Sequence, residues 1–174
     1  MTAKLSGHEY ADLIAAYILK SFGAKGLSVY REVTLGKTII GKHRRIDVLV
    51  VQDETRRAIA IECKYQETQG TTDEKIPYTL QDMEAMGMPV CVVYAGDGFS
   101  DGILHVLQAS SITAYALPDP EKLRPIPATR ELDAFLAVTF QWWDLVLDGK
   151  RPFSLEDWKS KTGSEASIRP ETGE

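Results

Sequence analysis

The segment at residues 58–65, Ala-Ile-Ala-Ile-Glu-Cys-Lys-Tyr, constrains the fold more than any other part of the chain. Its β-branched apolar residues and its short length favour a β-strand. Because side chains alternate between the two faces of a strand, Glu62 and Lys64 share one face. Ile61 and Cys63 share the other face, which is apolar. The pattern therefore predicts a core strand that ends with an acid and a base as neighbours on one side.

A second acid lies at the head of the preceding predicted strand. Asp47 stands between Ile46 and Val48, and an acid within such an apolar run is costly unless it is paired or bound to a metal. Two carboxylates can hold a divalent cation that activates water for phosphodiester hydrolysis, and a nearby lysine can position that water or stabilise charge. A simple salt bridge between Glu62 and Lys64 on a half-exposed strand face is the alternative.

The order of the remaining elements predicts an α/β domain built around a mixed sheet. We expect strands at residues 28–35, 44–51, 58–65, 89–95 and 111–117. We expect helices at residues 6–22, 74–86, 99–109, 129–147 and 154–161, with Pro77 in the first turn of its helix. The chain then divides into a core at 1–118, a helical extension at 119–162 that packs on the core or on a partner, and a disordered tail at 163–174.

Asp47 followed by Glu62-Cys63-Lys64 resembles the motif of the PD-(D/E)XK nuclease superfamily, although Ile46 replaces the proline before the first acid. The resemblance implies a restriction endonuclease-like αβββαβ core. It also implies a metal-dependent endonuclease that hydrolyses DNA with Mg²⁺, or with Mn²⁺ as a substitute. On this resemblance Asp47 and Glu62 are the metal-binding acids and Lys64 is the catalytic lysine. The backbone carbonyl of Cys63 is a further metal ligand.

Glu9 supports two interpretations. It stands three residues after Ser6, where a capping-box acid folds back onto the start of a helix. It also resembles the first-helix acid of some superfamily branches, which implies a catalytic and metal-binding role beside Asp47 and Glu62. On the second interpretation Glu9 lies on the helix face that meets the sheet, one turn before Leu13.

A basic segment precedes Asp47, and with two later residues it forms the predicted nucleic-acid interface. The alternative interpretations are a solvated hairpin tip for the basic segment, a polar strand end for Gln66 and an ordinary capped helix with a solvated Lys75. The residues predicted to contact nucleic acid are Lys42, His43, Arg44, Arg45, Gln66 and Lys75.

Composition excludes several other classes of protein. The net charge of −5 argues against a surface coated in positive charge for nonspecific nucleic-acid binding. No apolar run approaches the roughly 20 residues of a membrane helix, and no phosphate-binding loop indicates a nucleotide cofactor. We therefore expect a cytoplasmic protein. Cys63 and Cys91 lie in apolar runs and are expected to be buried free thiols.

Two other functions remain open at this point: a catalytically silent nuclease fold that binds nucleic acid or protein, and an RNA-directed nuclease. A homodimer is also expected, because a two-fold dimer matches the pseudo-symmetry of duplex DNA. Trp142 and Trp143 are adjacent and so point to different sides of their predicted helix. One of them can serve the core while the other meets a partner.

Overall fold

Five strands form one mixed sheet in the order β1-β2-β3-β4-β5, with helices on both faces. β1, β2 and β3 pair antiparallel, whereas β3, β4 and β5 pair parallel. The predicted αβββαβ order is confirmed. The elements of this computed structural model are α1 (Gly7–Phe22), β1 (Leu27–Lys37), β2 (His43–Gln52), β3 (Ala58–Tyr65), α2 (Thr72–Glu84), β4 (Val90–Ala95), α3 (Asp101–Ala109), β5 (Thr113–Tyr115), α4 (Arg130–Phe140), α5 (Trp143–Val146) and α6 (Leu155–Thr162).

The structure describes residues 4–70 and 72–162. The predicted disordered tail at 163–174 lies outside these residues. Within the described ranges, no helix is long and apolar enough to cross a membrane.

The sheet separates two apolar cores. One core lies between the sheet and the helices α1 and α4, and it includes Ile61 and Cys63 of β3. The other lies between the sheet and the helices α2 and α3, and it includes Ala60 of β3. This alternation places Glu62 and Lys64 on the α2 side. The predicted division of β3 into two faces is therefore confirmed, and α2 becomes the wall that faces the acid–base pair.

The prediction of one helix over residues 129–147 is wrong. α4 ends at Phe140 because Gln141 adopts a left-handed conformation, with φ of 61°, and a short helix, α5, follows. Trp142 is buried and stacks on Phe22 and Phe140, with ring centroids 5.4 and 5.2 Å apart. Trp143 is 48% exposed. One tryptophan thus serves the core and the other faces solvent, as expected from their adjacency.

α2 begins at Thr72, so Pro77 lies inside the helix and not in its first turn. The sequence-based placement of Pro77 is wrong for that reason. Proline has no N–H, so the helix lacks one intrahelical hydrogen bond at this position. Ile76 and Leu80 on either side of Pro77 are buried in the core beneath α2, and this packing holds the helix together across the missing bond.

Candidate active site

Glu62 and Lys64 lie side by side near the end of β3. The Lys64 Nζ donates to the Glu62 Oε1 at 2.8 Å. The two side chains are only 20% and 18% exposed, so the pair is largely removed from water. A pair so placed has a definite geometry, unlike a mobile surface salt bridge.

Asp47 reaches the same strand through its side chain. The β2–β3 ladder ends at the pair Val48–Ile61, and the same register would place Asp47 opposite Glu62. Beyond this point the Asp47 Oδ2 accepts the Cys63 N–H at 2.8 Å. The carboxylate thus occupies the place of a main-chain acceptor, and it is fixed next to the residue between Glu62 and Lys64.

The neighbouring strand β1 is also irregular at Asp47. Its register passes from Arg31–Val48 to Val33–Ile46 without a pair between them, and the intervening Glu32 has a φ of +54°. A left-handed backbone at a non-glycine residue inside a strand is strained. The Arg31 guanidinium donates to the Asp47 carbonyl oxygen. Arg31 is therefore a supporting residue of the site that sequence reasoning missed.

Arg31 is itself held in place. Its Nε donates to the Asp12 Oδ1 of α1 at 2.7 Å. One guanidinium therefore connects the first helix to the main chain at Asp47. The only sequence signal for this contact was a basic residue in the strand that precedes the acid, and that signal alone does not specify a partner.

The electrostatics of the site favour a cation. Burial raises the pKa of the Glu62 carboxyl; the ion pair with Lys64 opposes this rise, and the nearby Asp47 carboxylate adds to it. A second positive charge beside the two acids would relieve the repulsion that Lys64 leaves uncompensated.

A cavity of about 150 Å³ opens beside Glu62. One wall is the hairpin between β1 and β2, including His43 and Arg45, and the other is α2, including Tyr78 and Thr79. These two α2 residues were not predicted. Neither has a chemical signature in the sequence, because their position depends on how α2 lies across the sheet.

The structure divides the predicted basic segment. Lys42, His43 and Arg45 are exposed, and His43 and Arg45 line the cavity. Arg44 is only 8% exposed, and its Nε and Nη2 donate to the two Asp82 carboxylate oxygens at 2.8 and 2.9 Å. Arg44 also lines the cavity, but its guanidinium is held in a buried bidentate ion pair with Asp82. The structure therefore gives Arg44 a structural role, and its contact with nucleic acid stays a prediction.

Gln66 also differs from its predicted role. It is only 5% exposed, and its Nε2 donates to the Asp73 carboxylate at 3.0 Å and to the Gly98 carbonyl at 2.7 Å. Gln66 therefore ties the end of β3 to the start of α2 and is not open to a substrate. Lys75 lies exposed on α2, where contact with nucleic acid remains a prediction.

Glu9 lies at the start of α1 and not in the site. It is exposed, and its Oε2 accepts the Ser6 N–H at 2.7 Å while the Ser6 Oγ accepts the Glu9 N–H at 3.2 Å. The capping box is thus complete. The prediction that Glu9 faces the sheet and binds the metal is wrong, because the local hydrogen bonds turn its carboxylate back to the helix end.

A family model for a PD-(D/E)XK nuclease superfamily domain matches residues 6–143. The chain belongs to the PD-(D/E)XK nuclease superfamily. The match runs past residue 118, the predicted end of the core, and includes α4. Members of this superfamily generally use divalent metals.

Three solved structures are similar to this PD-(D/E)XK chain. A protein of unknown function matches at 16% identity and a TM-score of 0.39, over 59% of this chain and 56% of its own. A repair endonuclease from Pyrococcus abyssi matches at 17% identity and a TM-score of 0.37, over 65% of this chain and 47% of its own. The MunI restriction endonuclease, solved with cognate DNA, matches at 14% identity and a TM-score of 0.40, over 80% of this chain and 99% of its own. The chain spans about half the length of the first two, and no curated protein matches it.

The donor atoms of this PD-(D/E)XK site fit a hard divalent cation. Among the described residues, no three His, Cys, Asp or Glu side chains lie close enough together to hold a metal. The acids at the site are Asp47 and Glu62, and both offer oxygen. Cys63 is a free and buried cysteine, and burial raises the pKa of its thiol, so its sulfur is a poor ligand. Two carboxylates with main-chain oxygen and water suit Mg²⁺, which usually keeps several waters.

Proposed function

We propose that the protein is a Mg²⁺-dependent endonuclease that hydrolyses phosphodiester bonds of DNA. The observation that carries this proposal is the Glu62–Lys64 pair of β3, at 2.8 Å. The Asp47 carboxylate of β2 is fixed beside this pair by a hydrogen bond from the Cys63 N–H. Glu62 of this pair lines a cavity that has basic residues on one wall. Structural salt bridges do not require a second buried acid or such an opening.

Asp47 and Glu62 would hold Mg²⁺ together with the main-chain carbonyl of Cys63, and Mn²⁺ would substitute. The bound cation would supply water activation and neutralisation of phosphate charge. Asp47 suits this role because the Cys63 N–H and the Arg31 guanidinium fix its side chain and its backbone. Its other carboxylate oxygen stays available for a metal.

Lys64 would act on the phosphate or on the attacking water. Glu62 holds the Lys64 ammonium in place and largely out of solvent, where a positive charge stabilises a developing negative charge more strongly than in water. The same ammonium can orient the attacking water through a hydrogen bond. The chemical role predicts that Lys64→Ala loses cleavage and keeps the fold.

Lys42, His43, Arg45 and Lys75 would contact the nucleic-acid backbone. The first three lie on or next to the hairpin that walls the cavity, and all four are exposed. Contacts to phosphate by basic side chains are independent of sequence and weaken with salt. DNA is the proposed substrate because the breadth of the PD-(D/E)XK nuclease superfamily favours it over RNA.

The test combines three substrates with defined metal conditions. Supercoiled plasmid, a four-way DNA junction and a structured RNA are incubated with Mg²⁺, Mn²⁺, Ca²⁺ or EDTA. We expect DNA cleavage with Mg²⁺ or Mn²⁺, none in EDTA, and binding without efficient turnover in Ca²⁺. Asp47→Asn, Glu62→Gln and Lys64→Ala should each lose cleavage, whereas Lys20→Ala, an exposed lysine on α1, should not.

Each alternative has its own outcome in the same experiment. Cleavage of RNA alone would identify an RNA-directed nuclease. Binding of DNA in every metal without cleavage would identify a silent binding module. Cleavage in EDTA, or wild-type rates in all three site variants, would refute the proposed chemistry.

We also propose a homodimer, supported by the exposed apolar side chains of the C-terminal segment. Trp143, Leu145, Val146 and Leu147 are 44–55% exposed on or next to α5. Large exposed apolar side chains that lie close together often mark a protein interface. Light scattering across micromolar concentrations, with and without DNA, tests this proposal. A monomer throughout would refute it, and Trp143→Ser should shift a real dimer toward monomer.

A further inference from the structure

A second cavity lies on the face of the sheet opposite Glu62 and Lys64. Its volume is about 500 Å³, within the range of small-molecule sites. It is lined at the carboxyl ends of three parallel strands: by Tyr65 at the end of β3, by Asp97 after β4 and by Tyr115 at the end of β5. Ligands of parallel α/β sheets commonly bind at this edge.

The charged groups that line this cavity are all acidic. Glu67 and Asp97 contribute carboxylates, and the lining residues in the described part of the chain include no Lys, Arg or His. The Tyr65 hydroxyl donates to the Glu67 carboxylate. Glu67 and Asp97 therefore give the cavity a negatively charged lining.

The uncharged lining is aromatic and aliphatic. Tyr65 packs against Tyr10 with ring centroids 5.2 Å apart, and Tyr115 packs against Tyr94 at 5.7 Å. Leu13 and Pro118 add apolar surface. Rings held in this way offer faces that attract a cation, and the aliphatic side chains suit an apolar body.

We propose that this cavity binds a small organic cation, in which an ammonium or guanidinium group is carried on an apolar body. The positive group lies near Glu67 and Asp97, and the apolar body packs between the tyrosine rings and the aliphatic side chains. An anion or a metal-chelating ligand finds no complementary group there. The site is separate from the nuclease chemistry, so neither proposal depends on the other.

Binding is tested on the full chain in EDTA without nucleic acid, which keeps the nuclease site out of the measurement. The probes are phenethylammonium, neutral 2-phenylethanol and anionic phenylacetate, which share a phenyl body. We expect saturable calorimetric binding of the ammonium at least about tenfold tighter than the alcohol, and no binding of phenylacetate. Amide shifts in NMR spectra should centre on Tyr65, Asp97 and Tyr115.

Conservative variants test the assignment of the charge. Glu67→Gln, which keeps an acceptor for the Tyr65 hydroxyl, combined with Asp97→Asn should reduce the ammonium affinity to that of the alcohol. Asp148→Asn, an exposed acid outside the cavity, should change nothing. If the double variant unfolds, Asp97→Asn alone serves, because Asp97 is exposed. Equal affinity for ammonium and alcohol, shifts outside the cavity or absence of binding would overturn the proposal.

Discussion

Replacement of Asp82 by alanine should destabilise the protein through the loss of one buried ion pair. The Asp82 carboxylate accepts the Arg44 Nε and Nη2 and the Ile39 N–H, at 2.8, 2.9 and 2.8 Å. The two charged side chains are only 10% and 9% exposed. Removal of one partner leaves the Arg44 charge buried without compensation, which costs about 3–5 kcal/mol. A loss of this size is a large fraction of the stability of an ordinary domain.

Urea unfolding monitored by tryptophan fluorescence measures this loss. The matched control is Arg45→Ala, whose exposed ion pair with Glu32 at 3.6 Å contributes less than about 1 kcal/mol. The double variant Arg44→Met/Asp82→Leu should lose much less than Asp82→Ala, because it leaves no unpaired charge. A loss below about 1 kcal/mol in Asp82→Ala, or equal losses in the single and double variants, would refute the reasoning.

Low pH should remove the contribution of the Arg44–Asp82 ion pair to the free energy of unfolding. Hydrogen bonds from Arg44 lower the pKa of Asp82. An acid whose pKa is lower in the folded state stabilises the fold above its unfolded value, near 3.9, and loses that effect as the pH falls through the folded value. The difference in unfolding free energy between wild type and Asp82→Asn should therefore shrink below about pH 4. A constant difference down to the acid transition would contradict the assignment to the ionised carboxylate.

Three further variants test the geometry around the site. Glu62→Gln should raise the melting temperature in EDTA at neutral pH, because a carboxyl whose folded pKa is raised costs stability when ionised. The gain should shrink as the pH falls from that pKa to the ordinary carboxyl value, and an undiminished gain at pH 4 would contradict the burial argument. Glu9→Gln should cleave DNA at the wild-type rate at limiting Mg²⁺, since an amide oxygen can still accept the Ser6 N–H. A tenfold lower cleavage rate would instead support a role for Glu9 in the active site. Arg31→Met should keep the fold yet need more Mg²⁺ for half-maximal cleavage, because the Asp47 backbone loses its anchor; an unchanged Mg²⁺ dependence would refute that role.

The parts of the fold that depend on local pattern were predictable. The alternation in β3 and the unbroken apolar run of β4 depend on which faces of a strand are buried, and period and composition show this directly. Placement of Glu62 and Lys64 on one face followed from the same rule. The motif around Asp47 then identified the superfamily from the sequence.

Side-chain partners that are distant in sequence were not predictable. Alternation along β2 puts Arg44 on the buried face of Ile46, but it does not identify the partner of Arg44, because Asp82 is 38 residues away. Gln66 was expected to face a substrate, but β3 ends at Tyr65 and the chain then turns into the core. These outcomes depend on how α2 lies on the sheet, which single-residue patterns do not specify.

The candidate site forms where the pairing of β2 with its neighbours is interrupted. Asp47 is absent from both ladders that flank β2, and side-chain contacts with Arg31 and Cys63 take the place of ladder bonds. In a continuous ladder the main-chain N–H and C=O groups of adjacent strands bond to each other, and a side-chain carboxylate points to one face of the sheet, towards a core or solvent. At Asp47 this pairing is missing, and the carboxylate accepts the Cys63 N–H instead. The strained backbone of Glu32 lies at the same interruption of the pairing, as expected where function and regular structure compete.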